Sequence, residues 1–304
     1  MPNIVLLAPN GQVGFEVARA VAPLGNVSSL SRSDVDFSDI KATITKVEAL
    51  DPALIINCAA WTAVDKAEAE SVSCHLINAA LPGALATLAK QKDAWLVHYS
   101  SDYVYPGHGT TPWQEDDVTG PLSVYGQSKL DGDIAVIEGT DKYLIFRTSW
   151  VYAARGNNFM RTMLKLAQSR DTLSVVADQI GSPTPARLIA QVTTLALQQV
   201  FTKERQKENA SILSGIYHLT PKGYCSWCDF AAEIFSLAST HGMPLALKPE
   251  QLTAITTADY PTPAVRPANS RLNLNKLEHT FQVQLPSWQQ QLALTFAELA
   301  DKNI

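Results

Sequence analysis

The feature that most constrains the fold is an alternation in the first half of the chain. Short, continuous apolar runs take turns there with stretches of helical period. Ile4 to Ala8 is such a run. Val13, Val17, Ala20, Val21 and Leu24 follow at i, i+4, i+7, i+8 and i+11, which is one face of a helix. Val27 to Leu30, Ala53 to Asn57, Trp95 to Tyr99 and Tyr143 to Thr148 read as further strands. Between them Ile40 to Leu50, the segment holding Leu81, Leu85 and Leu88, and Val124 to Ile137 read as helices, with a kink expected near Pro82. Strands apolar on both faces are what a parallel sheet covered by helices on both sides requires. The predicted fold class is α/β, with a doubly wound parallel sheet.

The second half reads differently. Helical patterns run over residues 157–168, 185–201, 226–241 and 288–300, with few strands between them. Prolines crowd the stretch from Pro244 to Pro267, and Lys203 to Asn209 reads as a charged surface loop. The expected organisation is a dinucleotide-binding domain over residues 1–150 and a smaller mixed α/β, mainly substrate-binding domain over 151–304, with the chain free to cross back into the first. At 304 residues, 46% of them hydrophobic, the chain has ample material for two cores. A net charge of -5 argues against a nucleic-acid or membrane-surface partner. The N-terminus lacks the basic lead of a secretory signal, no apolar run reaches the ~20 residues of a membrane span, and four cysteines are too few for a disulfide scaffold. Cytoplasm is the expected compartment.

The first strand-to-helix turn reads Ala8-Pro9-Asn10-Gly11-Gln12-Val13-Gly14. Gly11 permits close approach of backbone to a pyrophosphate, Gly14 permits tight helix-strand packing, and the helix N-terminus offers free N–H groups. Ala8 stands where the spaced glycine pattern has its first glycine. About 20 residues on, where an acidic residue would take the ribose hydroxyls, stand Ser31 and Arg32. An Asp there would repel a 2'-phosphate, whereas Ser31 with its neighbour Arg32 accepts one, so NADPH is expected to serve at least as well as NADH.

Tyr125-Gly126-Gln127-Ser128-Lys129 is the most specific signal. Tyr and Lys at i and i+4 share a helix face, with Ser123 as N-cap and Leu130, Ile134 and Ile137 as a separate apolar face. A lysine cation and a helix N-terminus are expected to bring a phenol, normally near 10, toward working range. The segment His98-Tyr99-Ser100-Ser101-Asp102-Tyr103 begins at the end of the fourth strand, the carboxyl edge where ligands bind. A hydroxyl there, Ser101 by preference, is placed to hold a carbonyl or alcohol beside Tyr125.

These motifs resemble the extended short-chain dehydrogenase/reductase group, with its Rossmann sheet, and within it the dTDP-4-dehydrorhamnose reductase family. The resemblance runs through Gly11 to Gly14, Asn57 to Glu68, His98 to Gly107, Pro121 to Gly126, Arg147 to Tyr152 and Gly156 to Phe159. It continues through Asp178-Gln179, Gly181 to Thr184, Tyr260 to Ala264, Arg266-Pro267 and Ser270 to Leu272, covering nearly the whole chain in order. It implies reduction of dTDP-4-dehydro-β-L-rhamnose to dTDP-β-L-rhamnose with NADPH or NADH. Tyr125 would protonate the C4 oxygen, Lys129 would lower its pKa and hold the nicotinamide ribose, and Ser101 would orient the carbonyl. By the same resemblance Gly11, Gln12 and Val13 lie under the pyrophosphate, and Asp36 and Phe37 flank the adenine. Ala60, Trp61 and Thr62 would lie along the cofactor's middle, and Tyr99 beside the nicotinamide. Ser101, Asp102 and Trp150 would touch the sugar nucleotide, with Arg266 and Arg271 at its diphosphate.

Two departures stand out. Ser31 replaces the family's acidic residue. The family is also associated with Mg2+ held by glutamates at a dimer contact. Glu16 and Glu298 match those positions, but Arg187 stands where a third carboxylate would be. A cation there would repel Mg2+, so the metal-bridged homodimer that the resemblance implies is expected to be absent or altered here. Cys225-Ser226-Trp227-Cys228 has zinc or redox spacing without a second pair nearby, and reads instead as a helix start capped by Ser226. Two other readings remain. A sugar-nucleotide epimerase or dehydratase shares the Tyr-Lys pair, although a dehydratase needs an acid pair where this chain has Asp102 followed by Tyr103. A non-catalytic partner would resemble the regulatory subunit of methionine adenosyltransferase.

Overall fold

A computed structural model describes residues 1–301; residues 302–304 of the expected second domain lie outside the described residues. The first half alternates as its apolar runs predict: β1 (Asn3–Leu7), α1 (Gln12–Ala20), β2 (Asn26–Leu30), α2 (Ile40–Ala49) and β3 (Leu54–Asn57). Then come α3 (Val64–Ala69), α4 (Ser71–His75), a π-helical turn (Leu76–Ala80), α5 (Leu81–Gln91), β4 (Trp95–Ser101), α6 (Val124–Gly139) and β5 (Tyr143–Thr148). The second half adds β6 (Val151–Tyr152), α7 (Phe159–Ser169), β7 (Leu173–Val176), β8 (Ile180–Gly181), β9 (Thr184–Pro185) and α8 (Ala186–Arg205). It ends with β10 (Gly215–His218), β11 (Cys225–Ser226), α9 (Trp227–Thr240), β12 (Leu252–Ile255), α10 (Asn275–Phe281) and α11 (Trp288–Asp301).

Six strands form one parallel sheet in the order β10-β5-β4-β3-β1-β2. Leu7 pairs with both Leu30 and Asn57, and Ser101 pairs with Thr148, so the carboxyl ends of the central strands open on one edge. The strand order reverses at β1, flanked by β2 and β3, and ligands bind in the crevice outside such a switch point. The sixth strand comes from the second half of the chain. One core lies between the sheet and α1, α8 and α10, and holds Ile4, Leu6, Val17, Ile189 and Leu277. The other face of the sheet packs Val5, Leu7, Leu85, Leu96 and Val136. A separate core of Met160, Phe230, Ile234, Leu292 and Phe296 holds the second half together.

Three local expectations are corrected. The helix expected over 185–201 continues to Arg205, so part of the charged stretch is helical. Near Pro82 the irregularity is the π turn just before it, which places the ring at the start of α5. Of the apolar face expected of α6, Ile134 and Ile137 turn outward, 43% and 39% exposed, while Leu130 packs against Val104, Tyr105 and Leu272. The buried face of the helix is instead Gly126, Ser128, Lys129, Gly132, Asp133 and Val136. Close helix packing explains the inversion: a Cβ on Gly132 would lie 2.1 Å from the Asn78 carbonyl oxygen. The run Ser71–Gln91 is long and apolar enough to cross a membrane by length and composition. It is nonetheless a packed helix, with Leu81, Leu85 and Leu88 buried in the sheet core.

Candidate active site

The carboxyl edge of the sheet opens into a cavity of about 1090 Å³, and the site assembles along it. At one end lies the turn after β1. Ala8 takes φ +60°, the left-handed conformation that a glycine would adopt at less cost. Gly14 sits against it, where a Cβ would fall 2.1 Å from the Ala8 carbonyl oxygen. Gly14 therefore shapes the turn from behind, while Gly11, Gln12 and Val13 line the cavity. Asn158 donates to the Gln12 side chain at 2.8 Å, tying α7 to this turn.

Beyond β2, Ser31, Arg32, Asp36 and Phe37 also line the cavity. Ser31 is not free to hold a phosphate as expected. Its hydroxyl and its N–H both donate to Asp34 Oδ2, at 2.6 and 2.8 Å, because the chain turns sharply there and Asp34 caps it. Arg32 is exposed and is left as the cation of this corner. Ala60, Trp61 and Thr62 line the middle. Their loop is clamped by Asn78, which accepts from the Trp61 N–H at 2.9 Å and donates to the Trp61 carbonyl at 3.1 Å. The π turn carries Asn78 into this position, and its amide also donates to Ser128 on α6 at 3.0 Å. An uncharged, buried asparagine in an apolar helix was the available signal for it, and sequence reasoning passed over it.

At the centre stand Tyr99, Ser101, Tyr125 and Lys129, all on the cavity wall. Ser123 caps α6 by accepting from the Gly126 N–H at 3.1 Å, which puts Tyr125 in the first turn. Asp133 on α6 and Arg147 on β5 pair at 3.0 Å, both buried, and lock the helix over the sheet. Lys129 is buried, and its Nζ donates to the Tyr99 carbonyl at 2.6 Å with His98 Nε2 at 3.4 Å. Burial pulls the lysine down to about 8, with Asp133 and Cys74 opposing. The Tyr99 hydroxyl faces away, toward Thr193 on α8 at 3.0 Å.

Tyr125 departs from expectation. Its phenol is pushed up, not down: burial dominates, the Ser101 hydroxyl pulls it back, and the Asp102 charge raises it further. Ser101 Oγ donates to Asp102 Oδ1 at 2.9 Å and accepts from the Tyr103 N–H at 3.2 Å. Asp102 is itself buried, and burial raises it to about 6, with its Oδ2 lacking a hydrogen-bond partner. Tyr103, the residue that stands where a dehydratase would have its second acid, packs edge-on against Tyr125 at 5.3 Å.

Trp150 lines the same cavity. Arg266 and Arg271 do not line it. Arg266 is held by Asp65 at 2.7 Å and Arg271 by Asn269 at 3.0 Å. The first pair ties the late loop to α3, and the second braces that loop on itself. The Cys-x-x-Cys segment is the predicted helix start, with Ser226 and Asp229 forming a reciprocal capping box. The Mg2+ of the resemblance does not fit its residues here. The Arg187 guanidinium sits between the two carboxylates, 3.1 Å from Glu16 and 2.8 Å from Glu298. Among the described residues no group of three acidic, His or Cys side chains is placed to hold a metal.

The chain matches the RmlD substrate binding domain family over residues 2–301. It is 47% identical over 291 residues to the dTDP-4-dehydrorhamnose reductase of Salmonella typhimurium, covering 94% of each chain. The crystal structure of a dTDP-4-dehydrorhamnose reductase from Clostridium acetobutylicum superposes with a TM-score of 0.86 at 34% identity, covering 98% of this chain and 99% of that one. The enzyme of that name from Bacillus anthracis, solved in complex with NADP, superposes with a TM-score of 0.84 at 33% identity, again covering 98% and 99%.

Proposed function

The chain belongs to the dTDP-4-dehydrorhamnose reductase family, and from that membership we propose that it reduces the 4-keto group of dTDP-4-dehydro-β-L-rhamnose to give dTDP-β-L-rhamnose, with NADPH as reductant. One observation carries the reading: the dinucleotide turn at Gly11 and the Ser101, Tyr125 and Lys129 side chains line one continuous cavity. That cavity suits an extended dinucleotide with a sugar nucleotide meeting it end to end. When bound, the reduced nicotinamide supplies the hydride for C4.

The remaining steps fall to the protein. A reduction needs an acid that still carries its proton, and the burial that raises the Tyr125 phenol keeps it protonated at neutral pH. Tyr125 gives that proton to the C4 oxygen as the carbonyl becomes an alkoxide. The resulting phenolate is stabilised by the Lys129 cation one turn along and by the Ser101 hydroxyl. Ser101, fixed by Asp102 and the Tyr103 N–H, orients the carbonyl. Arg32 receives the 2'-phosphate of NADPH, and the Trp61 loop, braced by Asn78, lies along the cofactor's middle. Asp36 and Phe37 flank the adenine, and Asp102 and Trp150 face the sugar nucleotide.

Residues 1–150, together with the returning α8 and β10, serve as the cofactor-binding unit, and most of 151–304 receives the sugar nucleotide. The expected assembly is a homodimer without a metal bridge, because a guanidinium fills the metal position. The net charge of -5 favours a small-molecule partner over nucleic acid. The test is product formation: NADPH oxidised in equal amount to dTDP-rhamnose formed, read by absorbance and by chromatography. Cofactor binding without product would move the search to other 4-keto sugar nucleotides.

A further inference from the structure

Trp150 lies two residues beyond the end of β5, after Ser149, and holds φ +49°. For a residue with a bulky side chain this left-handed conformation is strained, and it persists only where the surroundings hold it. Three contacts hold it here. The Thr184 N–H donates to the Trp150 carbonyl at 3.2 Å. On one side the indole lies against Gly181, where a Cβ would fall 2.6 Å from Cε2. On the other it stacks on Trp227, with ring centroids 3.6 Å apart and planes 11° from parallel.

Trp227 is anchored in turn. It packs on Phe159 at 4.6 Å, and its indole N–H donates to Gln179 Oε1 at 3.2 Å. The Gln179 amide then donates to Thr257 Oγ1 at 3.1 Å. Trp150 closes the sheet half of the chain, whereas Trp227 opens α9 in the second half, and both indoles line the cavity. The stack therefore joins the two halves at the wall of the site.

We propose that Trp227 is a positioning residue for the sugar-nucleotide subsite: it holds Trp150 in its strained conformation, with Gln179 fixing its rotation. This rests on the reading above, in which Trp150 faces the sugar nucleotide while the cofactor lies at the Gly11 end. The consequence is a separation of effects. Loss of the stack releases Trp150 and weakens the sugar nucleotide, and leaves the dinucleotide untouched.

The test uses the full-length protein with Trp227→Leu, Trp227→Phe and Gln179→Leu. Three quantities are read: KM for dTDP-4-dehydrorhamnose, Kd for dTDP-rhamnose by calorimetry, and Kd for NADPH by fluorescence. Trp227→Leu is expected to raise the first two about tenfold, the scale of one aromatic stack, with NADPH affinity unchanged. Trp227→Phe should recover much of that loss, and Gln179→Leu should lose about threefold. Unchanged sugar-nucleotide constants in a folded Trp227→Leu protein overturn the proposal, as do equal losses for NADPH. If Trp227→Leu does not fold, Trp227→Phe and Gln179→Leu decide, and no rise in either contradicts it. A wild-type protein that binds NADPH but neither reduces nor binds the dTDP sugar fails at the functional reading, and the proposal falls with it.

Discussion

Lys129 gives its shortest hydrogen bond to the backbone carbonyl of Tyr99, at 2.6 Å, and that strand residue precedes Ser101 by two positions. The amine is thereby held between the strand that carries Ser101 and the helix that carries Tyr125. The groups facing it are His98 and Tyr99 from β4, Cys74 from α4, and Asp133 from its own helix. Burial lowers it to about 8, so the lysine is charged below that value and neutral above it. kcat/KM should therefore fall on the alkaline side with an apparent pKa near 8. In Lys129→Arg that limb should move upward, because a guanidinium does not titrate there. Lys129→Met should lose about 100-fold or more in kcat. A pH-rate profile of the three proteins checks this, and a limb unmoved in the arginine variant contradicts it.

Asp102 is raised from 3.8 to about 6 by burial. Below 3.8 both folded and unfolded chains carry it neutral, and above about 6 both carry it charged. Between the two, the folded protein keeps a proton that the unfolded chain has lost. Stability therefore declines as pH rises through that window, by about 3 kcal/mol in all. Asp102→Asn should lack this decline and melt higher than wild type at pH 7, with a raised KM for the sugar nucleotide. Melting curves of both proteins from pH 4 to pH 8 decide the matter; parallel curves would refute it.

With Ser31 held by Asp34, Arg32 is the cation left for a 2'-phosphate. Arg32→Ala should lower kcat/KM for NADPH about tenfold or more, and leave NADH nearly unchanged. The wild type should use NADPH at least as well as NADH. Steady-state kinetics with both cofactors measures this, and a wild type strongly preferring NADH would sink the assignment.

Arg187 occupies the place between Glu16 and Glu298. Millimolar Mg2+ or EDTA should leave the wild-type melting temperature and oligomeric state unchanged. Arg187→Glu exchanges ion pairs on a half-exposed side chain for carboxylate repulsion, at about 1 kcal/mol. In that variant alone, added Mg2+ should restore stability. Stabilisation of the wild type by Mg2+ would show that the guanidinium yields to metal.

The sheet was legible because parallel strands are apolar on both faces, and Ile4 to Leu7 or Leu54 to Ile56 are fully buried as that requires. Tyr125 and Lys129 were legible because a helix fixes i and i+4 to one face. The buried face of α6 was not, since Ser128, Lys129 and Asp133 are polar and their burial depends on a neighbouring helix with room at Gly132. Arg266 and Arg271 misled because a sequence gives charge without partners: Asp65 lies far from Arg266 along the chain, and Asn269, though two residues from Arg271, gives no sign in the sequence that it turns back to hold it. Trp227 was masked by the cysteines around it, and its stack on Trp150 is a contact between elements that no local pattern records.

The central claim is that Tyr125 is the acid of an NADPH-dependent reduction. The most direct measurement follows NADPH absorbance as purified wild-type and Tyr125→Phe proteins meet freshly generated dTDP-4-dehydrorhamnose. The account predicts turnover by the wild type and a loss of about 100-fold or more in kcat for the variant, with NADPH still bound. Undiminished turnover by Tyr125→Phe would contradict it.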